Sequence, residues 1–317
     1  MSSLEGYPTL ISGLSSLPIH PANMKSLQIF QRKTLRGFLK LSQSSPIPAI
    51  HFLLGELPVE GMLHIRTLGI FHNIWSNPTS TVYTMVRYIM KMCTSKSTTW
   101  SNHVQLICQK YGLPPPLSLL SMPAWSKSEW DTLVKTKIIA RHERSLRSLA
   151  VNNSKMKYLN IQLHGLSGRA HPTIHGILTT QDVKKLRLHM KFLTCDILTD
   201  EPSADTTCPL CHSPSPNPTE HALVSCQALS EVRSRIFPEL LNTAAQVHPM
   251  SGILSYDIPP PIMTQFILDC TSLNLPDSVR IPAHNPRIFE IYRISRDWCF
   301  AIAGERARLL SQQKYRN

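Results

Sequence analysis

Cys208, Cys211, His221 and Cys226 follow one another with two, nine and four residues between them. Two cysteines separated by two residues form a knuckle whose sulfurs can take adjacent corners of a tetrahedron, and the chain then returns with a histidine and a cysteine. Thiolate and imidazole together suit Zn2+. Four protein ligands leave no open position for water, so the chemistry expected is structural, with one Zn2+ holding the chain together; a catalytic zinc and four unrelated residues are the competing readings. His212, directly after Cys211, competes more weakly for the fourth position. Glu220 suits a supporting partner better than a ligand.

The elements around these residues must bring them together. "SPSPNPTE" (213–220) is too proline-rich to be helical throughout. "HALVSC" (221–226) predicts a short helical turn, started near Thr219, that places His221 and Cys226 side by side. So few apolar residues cannot hold 208–226 by a core, whereas zinc binding supplies on the order of 10 kcal/mol of folding free energy in small sites of this type. Upstream, "DVKKLRLHMKFL" (182–193) predicts a helix with Val183, Leu186, Met190 and Leu193 on one side and Lys184, Arg187 and Lys191 alongside. Cys195 fits the apolar side of a helix better than a metal shell. Cys93, Cys108, Cys270 and Cys299 stand singly and read as small buried hydrophobes in a reducing compartment.

The chain of 317 residues, 42% of them apolar, is long enough for two or three modest cores. Its 25 prolines against 12 glycines predict helices separated by rigid breaks. The formal charge of +13 is uneven: residues 1–150 hold 16 Lys and Arg against 6 Asp and Glu, and residues 151–317 hold 17 against 14. The first half is therefore the part expected to face a polyanion. Within it, residues 23–41 predict an amphipathic helix with Met24, Leu27, Phe30, Phe38 and Leu41 on the apolar side, and Lys25, Arg32, Lys33, Arg36 and Lys40 as basic residues. "LPVEGMLHIRTLGIFHNIW" (57–75) is apolar on too many sides for a surface helix and should be central to the first core. Ser126 and Glu129 have capping-box spacing for a helix continuing to about Leu149. On it Val134, Ile138, Leu146 and Leu149 share one side and Lys137, Arg141, Arg144 and Arg147 the other, either as a solvated face or as a phosphate-facing one. Asn285 and Pro286 should start a closing helix that runs to about Leu310. With no basic start followed by an apolar run, and no run near eighteen apolar residues, the expected protein is intracellular, in nucleus or cytoplasm, neither secreted nor in a membrane.

These stretches, in this order, resemble the C-terminal part of the reverse transcriptases of non-LTR retrotransposons, LINE elements of the jockey-like kind. "LQIFQRKTLRGFLKL" and "PAIHFLLGELPVEGMLHIRTLGIFHNI" resemble the helical thumb after the polymerase palm; "CQKYGLPPP", "MKYLN", "AHPTIH" and "DVKKLRLHMKFLTCDI" follow as they do downstream of that thumb. "CPLC" and "TEHALVSC" resemble the family's CCHC zinc motif, with Cys208, Cys211, His221 and Cys226 on its four ligand positions. The resemblance covers roughly residues 7–240. The sequence has no Asp-Asp pair of the kind that holds paired Mg2+ ions in the family's polymerase, so the chain reads as a detached thumb and CCHC region without catalytic residues.

The resemblance implies a mainly α protein: a thumb-like helical region (1–125), a basic helical connector (126–200), a CCHC zinc-binding motif (201–235) and a C-terminal helical segment (236–317). It implies a partner, RNA or DNA, gripped by the backbone, and association with the element's missing polymerase part. The alternative is a host-retained protein-interaction scaffold with a structural zinc and no nucleic-acid role. "LPDS" (275–278) is too short to serve as a nuclease signature.

Overall fold

Prolines mark where helices begin. Pro46, Pro58 and Pro259 stand directly before helices, and Pro48, Pro260 and Pro286 fall in first turns, where a missing N–H costs nothing. The computed structural model describes residues 13–92, 99–166, 168–196, 207–247, 258–272 and 286–315, and among these it is mainly helical. The helices of eight or more residues are α1 (Pro21–Leu39), α2 (Ile47–Leu54), α3 (Val59–Trp75), α4 (Thr81–Met92), α5 (Trp100–Tyr111), α6 (Lys127–Val151), α7 (Thr180–Leu193), α8 (Ser230–Val247), α9 (Pro260–Asp269) and α10 (Pro286–Lys314). The one β-bridge among the described residues joins Thr207 to Pro214. Cys93, Asn285 and the 275–278 stretch lie outside the described residues.

The chain divides into two compact units, residues 1–34 with 56–148, and residues 35–55 with 149–317. The stretch read as a basic connector, 126–200, contributes to both.

In the first unit α3 is central, as its all-round apolarity predicts, with Leu63, Leu68, Phe71 and Trp75 fully buried. Trp130 of α6 donates its indole N–H to Leu68 O (3.1 Å), and Trp75 donates to Met122 O (2.9 Å), so two large rings are buried without orphaned donors. Pro58 has no side chain with which to cap α3. Gln31 does that work from α1: its carbonyl accepts Val59 N–H (2.7 Å) and its amide donates to Leu57 O (2.9 Å). Met24 and Leu27 of α1 pack on Val59 and Leu63 as expected, whereas Phe30 and Phe38, read as apolar-side residues, are 52% and 40% exposed. Helix α1 passes from the first unit into the second after residue 34, and its buried positions Gln31, Leu35 and Leu39 follow a four-residue step that leaves both phenylalanines off that side. On α6 the Ser126–Glu129 capping box forms, and Val134, Ile138 and Leu146 are buried.

In the second unit α10 packs against α7 and α8 and buries Ile291, Tyr292, Trp298, Cys299 and Ile302. Leu149, expected on the apolar side of α6, is 60% exposed; Ala150, four residues after Leu146, takes the buried position instead. Gly55, at φ 64°, closes α2 and lies against the backbone of Arg169, so close that a Cβ would sit 2.3 Å from its carbonyl oxygen. That approach is stitched by Gly168 N–H to Gly55 O (3.0 Å) and His171 N–H to Leu53 O (2.8 Å). Helix α7 ends at Leu193, so Cys195 lies beyond it at φ 53° rather than on its apolar side.

Candidate metal centre

The four residues singled out by spacing converge: one ligand atom from each of Cys208, Cys211, His221 and Cys226 lies within 4.8 Å of all the others. The knuckle is a tight turn in which Cys208 N–H donates to Ser213 O (2.9 Å) and His212 N–H to Cys208 O (2.9 Å), with His212 itself at φ 56°. His212 is exposed and outside the cluster, so it does not compete for the fourth corner. The return arm is capped two residues earlier than predicted. Asn217, not Thr219, caps it by accepting Glu220 N–H, and Pro218 fills the first position. Glu220 in turn accepts from the Asn217 amide (3.3 Å).

Residues His221–Ser225 then form a π turn, closed by Cys226 N–H donating to His221 O (2.7 Å). The reason is geometric. In an α-helix five steps of about 100° would leave Cys226 about 140° around the axis from His221. The wider turn brings both side chains to one side.

Cys208 and Cys226 sulfurs are 3.9 Å apart. Two thiolates at about 2.3 Å from a tetrahedral ion are separated by about 3.8 Å, whereas a disulfide would need about 2.05 Å. Cys211 Sγ and His221 Nε2 approach to 3.2 Å, a hydrogen-bonding contact somewhat tighter than a shared ion would set. Burial and the neighbouring Cys208 sulfur push the Cys226 thiol up to about 12. At Cys211 burial acts upward too, but hydrogen bonds involving Ser213 and His221 outweigh it and bring the thiol to about 6. A divalent cation among the sulfurs would replace their mutual repulsion by attraction. Three thiolates around a divalent ion would leave one negative charge, and Arg233 is placed near Cys226 to answer it. Burial lowers the pKa of this guanidinium, the charge of Cys226 opposes that, and its Nη1 is buried without a hydrogen-bond partner. Arg233 was not picked out by sequence reasoning, because its seven-residue distance from Cys226 matches no ligand pattern. Trp298 of α10 donates its indole N–H to Leu223 O (3.2 Å), tying the π turn to the second unit's core.

A second cluster escaped sequence reasoning altogether. His164, His171 and Asp269 are buried, with ligand-type atoms within 4.8 Å of one another. Here most of the atoms are already engaged. Asp269 accepts Asn160 N–H (2.8 Å), Thr271 N–H (3.0 Å), the Thr271 hydroxyl and the Tyr292 hydroxyl (2.8 Å). Burial alone would raise its pKa, yet the surrounding donors, His164 and His171 among them, hold the carboxyl well below the usual carboxylate range. His171 Nδ1 accepts Thr173 N–H (3.2 Å) as a helix cap, which places the proton of the neutral ring on Nε2, 3.5 Å from Asp269. A nitrogen that carries a proton cannot ligate, so a metal here would have to break the cap. These hydrogen bonds favour a buried anion satisfied by donors over a metal centre.

The basic residues divide by exposure. Lys25, Lys33, Lys40, Lys137, Arg141, Arg144 and Lys184 are exposed; Arg32, Arg36, Arg147, Arg187 and Lys191 are half-buried. Arg32 donates to Gln28 O (3.0 Å), Arg36 to Ser45 O (2.8 Å) and Arg147 to Glu143 (3.5 Å), so part of each stripe is spent on the fold itself.

No family model, curated protein or solved structure matches the chain. Among the described residues no helix is long and apolar enough to cross a membrane.

Proposed function

We propose that the protein is a non-catalytic nucleic-acid-binding module, gripping RNA or DNA by its phosphates and held in part by one structural Zn2+ on Cys208, Cys211, His221 and Cys226. The observation that carries the binding role is α6: Lys137, Arg141 and Arg144 stand exposed at steps of four and three, in the half of the chain with 16 basic residues against 6 acidic. The resemblance to non-LTR reverse transcriptases points the same way, toward a thumb-derived fragment that would sit beside a polymerase part. Backbone-directed lysines and arginines position a protein on a strand without reading its bases. For the metal, three sulfurs and one imidazole complete a tetrahedron, the arrangement of a closed site.

Titration of a short RNA and of an unrelated duplex at several salt concentrations tests the binding role. Each phosphate contact contributes about −0.9 to the slope of log affinity against log salt for duplex DNA and about −0.7 for single strands. Changing Lys137, Arg141 and Arg144 to Gln should flatten the slope, and Arg147→Gln, which removes a residue already paired with Glu143, should add least. Wild-type protein that binds neither probe at low salt would overturn the reading in favour of a protein-interaction scaffold.

A further inference from the structure

Within the first unit, an open cleft of about 400 Å3 lies beside the basic face of α6. Arg141, Arg144, Ser145 and Ser148, one face of α6 at steps of three, one and three, supply much of its lining. Opposite them stand Glu60, from the first turn of α3, and Lys110, from the last turn of α5, whose ammonium and carboxylate are 2.5 Å apart. The volume falls at the small end of the roughly 300–1,000 Å3 typical of small-ligand sites, and all its lining side chains are polar or charged.

The charges select the ligand. Lys110 already has its carboxylate, while Arg141 and Arg144 have no ion pair among the described residues. His142 also lines the cleft; its Nε2 meets the Tyr111 hydroxyl (3.1 Å), which in turn meets His64 Nδ1 (2.8 Å). Burial keeps both rings below their ordinary range, His64 at about 3, so neither adds charge at neutral pH. Burial would raise Glu60, but the hydrogen bond and charge of Lys110 outweigh it and keep the carboxylate ionised. Three positive groups against one negative leave a surplus of two. An internal phosphodiester carries one negative charge and continues in both directions. A phosphate monoester carries nearly two at pH 7, its second pKa being about 6, and presents three acceptor oxygens on one end. Planar guanidinium forks and serine hydroxyls are the donors that suit such a group.

We propose that this cleft binds a phosphate monoester, the phosphorylated end of a nucleic-acid strand, and thereby fixes where α6 rests along that strand. This deepens the nucleic-acid reading and rests on it for the source of the group; a free nucleoside monophosphate offers the same chemistry.

The experiment compares one short single-stranded oligonucleotide carrying a 5′-phosphate with the same strand ending in a 5′-hydroxyl, each titrated with the full chain at fixed salt. The phosphorylated strand should bind about tenfold tighter, as charge-assisted hydrogen bonds to one terminal group would give. Arg141→Gln with Arg144→Gln should erase that preference while leaving residual binding of both strands. Glu60→Gln, which removes the opposing charge, should strengthen binding of the phosphorylated strand several-fold. This gain cannot come from misfolding. Equal affinity for the two strands, or a preference that survives the double substitution, overturns the strand-end proposal. Adenosine 5′-monophosphate titrated alone, read by calorimetry, separates the sources. If it binds and the double variant does not, while neither strand binds wild type, the cleft is a free-nucleotide site and the nucleic-acid reading has failed independently; if it too fails to bind, the cleft proposal falls.

Discussion

The two clusters of the second unit contain similar chemistry and are built for opposite ends. At Cys208, Cys211, His221 and Cys226 the side chains meet chiefly one another: sulfur faces sulfur at 3.9 Å, and a third sulfur faces an imidazole at 3.2 Å. At His164, His171 and Asp269 most of the polar atoms are taken up within the chain: Asp269 accepts from Asn160, Thr271 and Tyr292, His164 Nε2 meets the Thr271 hydroxyl and His171 Nδ1 accepts Thr173 N–H, while His171 Nε2 is buried 3.5 Å from Asp269 without a hydrogen bond. Residue type and proximity are thus shared, and what separates the two is whether the surrounding groups leave the lone pairs bare. The first cluster has the donor set to take an ion from outside the chain. The second is satisfied chiefly from within, around the Asp269 carboxylate.

The widest gap between them should open on metal removal. Purified protein is expected to contain one zinc per chain, and a strong chelator, Cys208→Ser or His221→Ala should abolish it and release residues 208–226 to rapid amide exchange, since a structural zinc in a small site of this type supplies on the order of 10 kcal/mol. A metal-free wild type that keeps this stretch protected would erase the distinction. Asp269→Ala comes next: several buried donors lose their acceptor together, so denaturant unfolding should show about 3–5 kcal/mol less stability with the zinc content unchanged. Loss of a second equivalent of metal in that variant would make the clusters alike after all.

Acid sharpens the comparison further. Burial, with the nearby His164 in support, lowers His171 to about 4 against an ordinary 6.5. Between those values the unfolded chain binds a proton that the native ring refuses, so stability falls as pH drops from about 6.5 to about 4. Asp269 works in a lower window. Its carboxyl is depressed from 3.8, so its contribution is fully present above that pH and is lost only as pH falls below it. Unfolding followed at pH 7 and pH 4.5 should show a smaller pH-dependent loss in His171→Gln than in wild type, and an unchanged loss would mean that His171 is not the group titrating. The smallest effect is expected at Arg233→Gln, which removes the charge beside Cys226 and should lower zinc affinity by roughly tenfold, as losses of supporting contacts at metal sites do. Competition with a zinc-sensitive dye reads it.

The difference also explains what was legible beforehand. The cysteine-histidine cluster spans nineteen residues, so its spacing is printed in the chain; the Asp269 cluster joins residues 105 positions apart, and only the folded chain reveals it. Helices were legible from apolar periodicity, as on α7, and best where a cap agreed with it, as on α6. Phase was not. Whether Leu149 or Ala150 points inward, or whether Phe30 stays out while Gln31 goes in, depends on what the neighbouring element offers, in the latter case an uncapped helix start at Val59. The cleft beside α6 was out of reach for the same reason, since Glu60, Lys110 and Arg144 come from three separate helices.

The π turn at His221–Ser225 works as a length gauge. Remove one residue from it and the remaining four-step interval fits an ordinary α turn, yet the sulfur of Cys226 is drawn back by a residue's rise, about 1.5 Å, against a metal–ligand tolerance of about 0.2 Å. Add one, and the sulfur swings by about 100° toward solvent. Neither change alters composition, charge or hydropathy enough to be noticed, so in this segment the count of residues, more than their identity, is what natural variation has to preserve.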